Sequence, residues 1–267
     1  EIPLKADENG VELLVLQCKN HILKPLSESY GIDVSDASIR KAVGEHNRVC
    51  RVITEIGKFR KEARPRITGY EFHVLTLATY VMPQYLIIDK LEETLDEIKT
   101  REPEDREYRA RIAVVGSEVD DSGFIKLIEE TGAYVCADRF CFGSLPGREQ
   151  IEIREGESAL TAVARHYLST SECPRFMNKE KQVQRRSYLK QLVNDYDADG
   201  ILYLQMKFCE YWSYERVMGV HDMNEVEGIP CIGVEKEYTM ASAGQLRTRF
   251  QAFVESIEIK KLQGGKM

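Results

Sequence analysis

The residues best equipped for chemistry are seven cysteines, at positions 18, 50, 136, 141, 173, 209 and 231. A thiolate is both a nucleophile and a soft metal ligand. The seven are odd in number and scattered, and no two form a C-x-x-C pair. Neither a disulfide framework nor a self-contained zinc site follows from that spacing, and a reducing, cytoplasmic compartment is expected. Cys209 stands out, because it closes the stretch Asp199–Glu210, in which Asp199-Gly200 signals a turn and 201–206 is a short apolar run. Such a run reads as a buried strand. Side chains just past the carboxyl end of a parallel strand face the crevice where ligands bind. A thiol there is a nucleophile, a metal ligand or an inert buried group, the last being the commonest fate of a free cysteine. His221 lies on the following helix and gives no particular reason to pair with it. His46 and Cys50, at i,i+4, read as core residues, since two groups do not complete a metal site.

Other nucleophile and nucleotide signatures are missing. Gly116-Ser117 follows an apolar run, but no G-x-G-x-x-G, no Walker G-x-x-x-x-G-K-[ST] and no G-x-S-x-G elbow is present, so the chain is not expected to bind ATP itself. A formal net charge of −7 argues against a nucleic-acid partner. The local basic group Lys179, Lys181, Arg185, Arg186 and Lys190 has helical spacing among polar residues and reads as a solvated helix face. No run approaches the length of a membrane span and no signal peptide opens the chain, so no membrane association is expected. The chain begins Glu1-Ile2-Pro3 without an initiator Met, which points to a processed or truncated start.

The elements that must position these residues fall into two parts. In residues 1–107 the apolar positions recur at helical period: Val11 to Leu26 before Gly31, then Ile39 to Ile56 behind the N-cap Ser35, then 70–82 and 84–99 on either side of Pro83. A charged stretch over 100–110 reads as a linker. From 108 to 267 the period changes, and short apolar strands at 112–116, 133–137, 201–206 and 229–234 alternate with helices at about 122–131, 157–169, 179–196, 213–226 and 244–260. Residues 138–144 read as irregular. The expected fold class is α/β: a helical N-terminal segment followed by a doubly wound, mostly parallel sheet of Rossmann or flavodoxin type. Right-handed crossovers place all carboxyl ends on one edge, which collects Ser117, Asp138, Cys209, Glu210 and Glu235.

Four motifs in this second part then carry a family resemblance. Lys207-Phe208-Cys209-Glu210 resembles the Lys-Phe-Cys-Asp/Glu signature of the 2-hydroxyacyl-CoA dehydratase and benzoyl-CoA reductase family. Gly228-Ile229-Pro230 resembles the segment before that family's last strand, and Glu172-Cys173-Pro174-Arg175 its Cys-Pro loop. Gly244-Gln245-Leu246-Arg247-Thr248-Arg249, followed by Gln251-Ala252-Phe253, is similar to its last helix.

The resemblance implies two α/β domains per subunit around an oxygen-sensitive 4Fe–4S cluster. It also implies a homologous second subunit, an acyl-CoA substrate, and a separate activator that hydrolyses ATP and supplies low-potential electrons. Cys209 corresponds to the cluster ligand of the C-terminal domain. The remaining ligands belong to a domain ahead of the helical segment, which this chain lacks, so they are expected from a missing domain or a partner, with Cys136, Cys141, Cys173 and Cys231 as weaker recruits. Arg247 and Arg249, at a helix start, are candidates for holding an anionic cofactor or a CoA phosphate; the alternative is an ion pair with Glu235 or Glu237. No catalytic acid or base is assigned. Glu235-Lys236-Glu237-Tyr238 is similar to a segment of one benzoyl-CoA reductase subunit type, and Tyr211, Trp212 and Tyr214 are placed to wall a ring pocket or simply to pack the helix against the sheet. The expected function is therefore a benzoyl-CoA reductase-type subunit. The alternatives are a 2-hydroxyacyl-CoA dehydratase subunit, or a cluster-free binding or assembly homologue.

Overall fold

A computed structural model describes residues 2–144, 148–176, 178–239 and 243–264. The helical segment opens with α1 (Glu8–Cys18), which runs through a π-turn (Lys19–Leu23) into α2 (Lys24–Tyr30). Asp7 caps the start of α1, and Gly31, at φ 64°, ends α2 in the left-handed region. Helix α3 (Asp36–Lys58) begins at the expected Ser35 cap, whose hydroxyl accepts from the Ser38 N–H. Helix α4 (Gly69–Val81) starts with a reciprocal capping box between Thr68 and Glu71. Pro83 then stands before α5 (Gln84–Thr100). Helices α3, α4 and α5 share a core built on Ile53, Ile56, Phe72, Leu91 and Ile98.

Residues 101–109 carry no regular structure and lead into the sheet. Its strands are β1 (Ala110–Gly116), β2 (Ala133–Phe140), β3 (Gly200–Met206) and β4 (Cys231–Lys236), all parallel, in the order β2-β1-β3-β4. The helices between and after them are α6 (Ser122–Glu129), α7 (Ala159–Thr170), α8 (Lys179–Asp195), α9 (Glu210–His221) and α10 (Ala243–Gly264). The period-2 pattern divides the strands cleanly between two faces. Ile112, Val114, Val135, Leu202, Leu204 and Val234 pack under α6 and α10, whereas Val115, Tyr134, Ala137, Ile201 and Tyr203 pack under α8 and α9. Helices on both faces of a parallel sheet make this the doubly wound α/β arrangement that the alternation implies. Among the described residues no helix is long and apolar enough to cross a membrane.

Three local expectations change. Strand β2 continues through Asp138, Arg139 and Phe140 instead of ending at Ala137, because buried partners neutralise its two charged residues: Arg60 and Arg148 for Asp138, Glu172 for Arg139. Asp138 is therefore an interior ion-pair residue, not an open edge carboxylate. Helix α9 starts at Glu210, directly after Cys209, whose carbonyl accepts the Ser213 N–H. Arg185 and Arg186 do not belong to a solvated face. They turn inward to Glu215 of α9, and Arg186 also reaches Asp222.

Candidate functional site

In the order β2-β1-β3-β4, connections leave β1 and β3 in opposite directions, and the crevice opens between their carboxyl ends. The two strands approach closely there. Gly116 lies at φ 135°, and a Cβ on it would sit 1.9 Å from the Leu204 carbonyl oxygen. The next residue, Ser117, donates its N–H to that same carbonyl at 3.0 Å. Strand β3 then leaves the sheet through Lys207 and Phe208. Lys207 pairs with Glu237 at 2.7 Å, which ties the turn after β3 to the residue following β4. Phe208 adopts φ 71° and is 89% exposed, an unusual conformation for a large non-glycine side chain. The turn closes with the Cys209 N–H donating to the Met206 carbonyl at 3.0 Å, so Cys209, half-buried, stands at the N-cap of α9.

Two other thiols reach this end of the sheet from separate loops. Cys141 follows β2 directly, and Cys173 lies between α7 and α8. Their side chains hydrogen-bond to each other. The Trp212 indole N–H donates to Cys141 Sγ at 3.0 Å. Cys141 is also near enough to feel charge on Cys209. The hydrogen bond from Cys141 holds the Cys173 thiol below the ordinary value, aided by the Arg175 backbone N–H and the charges of Arg175 and Arg185. The shared proton and burial push Cys141 in the opposite direction. The pair therefore carries one thiolate on Cys173 and one thiol on Cys141. Cys136 and Cys231 are buried in strands, and burial pushes both up to about 12.

The loop bearing Cys173 is fixed by charge. Glu172 is buried against Arg139, whose guanidinium lies 3.6 Å from the Tyr188 ring centre, and Arg185 donates to the Phe176 carbonyl at 3.1 Å. The rest of the expected edge is more dispersed. Ser117 is buried, while Glu210 and Glu235 are exposed. Arg247 pairs with Glu130 of α6, and Arg249 donates to the Gly233 carbonyl at 2.7 Å, so neither meets Glu235 or Glu237. The three aromatics part company. Trp212 is 3% exposed and packs with Tyr203 in the core, whereas Tyr211 and Tyr214 face outward over α8.

Sequence spacing places Cys209 at the crevice but not Cys141 and Cys173 against each other. The signal available was positional: both lie in irregular stretches beside the same edge. A 4Fe–4S cluster needs several thiolates. Among the described residues no group of three or more His, Cys, Asp or Glu side chains is arranged to hold a metal ion. The described residues thus fit a contribution to a cluster and not a complete ligand set.

Comparison with known proteins places this arrangement. The family profile of the 2-hydroxyglutaryl-CoA dehydratase D-component matches residues 1–257. The chain is 26% identical over 250 residues to the (R)-phenyllactyl-CoA dehydratase beta subunit of Clostridium sporogenes, covering 94% of this chain and 65% of that one. It is 25% identical over 239 residues to the putative dehydratase subunit YjiM of Escherichia coli, covering 88% and 61% respectively. With a benzoyl-CoA reductase subunit of Thauera aromatica it shares 20% over 242 residues, covering 90% and 62%. The chain thus spans somewhat less than two thirds of the length of these relatives. It belongs to the 2-hydroxyglutaryl-CoA dehydratase D-component family.

Proposed function

We propose that the chain is part of a subunit of an acyl-CoA dehydratase that removes water from a 2-hydroxyacyl-CoA, working with a homologous second subunit and a separate ATP-hydrolysing activator. The observation that carries this is the placement of Cys209 at the crevice between β1 and β3, within the Lys207–Glu210 segment that resembles the family signature. Cys209 supplies one thiolate to a 4Fe–4S cluster, and further ligands come from outside the described residues. Arg247 and Arg249 would have to leave their present partners to hold a CoA phosphate, which both can do because they are exposed.

A benzoyl-CoA reductase is the second reading. The Glu235–Tyr238 segment and the Thauera relative favour it. The dehydratase is preferred because the aromatic wall for a ring substrate is not assembled: Trp212 is in the core and Tyr211 and Tyr214 face away from it. The names of the two relatives above 20% identity lean the same way.

The test is anaerobic co-expression with the genomic neighbours, followed by turnover of a 2-hydroxyacyl-CoA and of benzoyl-CoA with activator, ATP and reductant. Dehydration with no ring reduction is expected, and ring reduction alone would overturn the preference. In the same complex, Cys209→Ala is expected to lower iron and acid-labile sulfide. Undiminished iron and sulfide would remove Cys209 from the ligand set.

A further inference from the structure

Apart from the thiols, the structure holds a second concentration of buried chemistry, on the outer side of the edge strand β2. A cavity of about 220 Å³ lies between the end of α3, the carboxyl end of β2 and α8. Arg60, Asp138, Arg139 and Arg148 form its charged floor, and Lys61, Asp195 and Glu149 stand at its rim. We propose that this cavity binds a small oxyanion, a carboxylate or a phosphate, on the guanidinium groups of Arg60 and Arg148.

Charge balance supports the assignment. Arg60 is 1% exposed and pairs with Asp138 Oδ1 at 2.7 Å, and Arg148 pairs with Asp138 Oδ2 at 2.9 Å. Two cations thus share one carboxylate. The other charges close locally, Arg139 on Glu172 and Lys61 on Asp195 at 3.6 Å, and neither pair offsets the surplus. His73 does not relieve it, because burial holds its pKa down and keeps the ring neutral. The one lining carboxylate left over, Glu149, is exposed at the mouth. An unbalanced buried charge is strongly disfavoured, and an anion from solution is the direct remedy.

The donors also fall short of acceptors. A guanidinium carries five N–H groups. Among the described residues Arg148 finds only Asp138 and the Thr76 hydroxyl, and the Nε atoms of both Arg60 and Arg148 have no acceptor. Both cations are stacked against Phe72, with their guanidinium carbons 3.6 and 4.6 Å from the ring centre, which fixes them in place before any ligand arrives. The volume is that of several waters, at roughly 30 Å³ each, and admits a small anion but not a nucleotide.

The test is titration calorimetry of the full chain with inorganic phosphate, with malonate, and with malonamide as the uncharged control. Saturable one-to-one binding of phosphate or malonate, with none for malonamide, is expected, and whichever of the two binds identifies the oxyanion. Arg148→Gln is expected to weaken that binding about tenfold or more, as loss of a charged hydrogen-bond donor does. Glu149→Gln is expected to tighten it. No saturable binding of either anion, or equal affinity in Arg148→Gln, would overturn the proposal. Should Arg148→Gln fail to fold by circular dichroism, Lys61→Gln and Glu149→Gln, both changes at the exposed rim, decide. Opposite shifts in affinity uphold the site, and identical affinities reject it.

Discussion

Cys173 shows how a single residue acquires its chemistry from partners far away in the chain. An isolated thiol titrates near about 8.5. Here the Cys141 thiol donates to Cys173, and Arg175 and Arg185 add positive charge, so the deprotonated form is favoured and the folded pKa falls. With the pKa depressed, the thiolate fraction saturates at a lower pH than in a free cysteine. Alkylation of Cys173 by iodoacetamide, followed by peptide mass spectrometry, should therefore level off acid of the ordinary midpoint, while Cys136, buried and pushed up to about 12, stays unlabelled. In Cys141→Ala the Cys173 profile should move toward higher pH. An unchanged profile would mean that the hydrogen bond does not set the thiolate. None of this was legible in the sequence. Cys209 could be placed because a strand end fixes its side chain relative to the sheet, but Cys141 and Cys173 sit on loops whose meeting depends on the Arg139–Glu172 ion pair.

At the scale of elements, strand and helix identities followed from periodicity, and their caps from single residues such as Ser35 and Gly132. Periodicity does not tell which polar side chains will be buried. Asp138, Arg185 and Glu215 break the apolar pattern, and each is accommodated only because a second element supplies its opposite charge. The contact of α8 with α9 depends on this. Glu215 is 5% exposed, receives Arg185 and Arg186, and also accepts from the Tyr203 hydroxyl at 3.3 Å. Glu215→Gln removes the charge while keeping the shape, leaving two guanidinium groups with no full counter-charge on that helix. Breaking a buried pair in this way costs about 3–5 kcal/mol. Urea unfolding should show a lower midpoint with an unchanged slope, the signature of lost stability without altered compactness. A shift below about 0.5 kcal/mol, typical of a surface change, would show that the network contributes little.

Across the whole molecule, the division between a helical segment and an α/β part describes the sequence better than it describes the contacts. The Glu129 carboxylate, at the end of α6, accepts from the Gly69 and Tyr70 N–H groups that open α4, at 2.9 and 3.1 Å, and from Val135 of β2 at 3.2 Å. Gly69 has no room for a Cβ, which would meet Val135 at 2.6 Å. Arg111 of β1 donates to the carbonyls of Arg60 and Glu62 at 2.7 and 3.1 Å, and Asn47 of α3 both donates to and accepts from Ile151. Buried hydrogen bonds of this kind leave orphaned donors if one part unfolds alone, so the parts should unfold together. The single tryptophan makes this measurable, because Trp212 reports the sheet core while far-ultraviolet circular dichroism sums every helix. The two signals should share one urea midpoint. In Glu129→Ala, which strips the acceptor from three N–H groups, both midpoints should fall together. Circular dichroism lost well before the Trp212 signal, in either protein, would show that the helical segment is an independent unit and that the contacts at Glu129 do not couple it to the sheet.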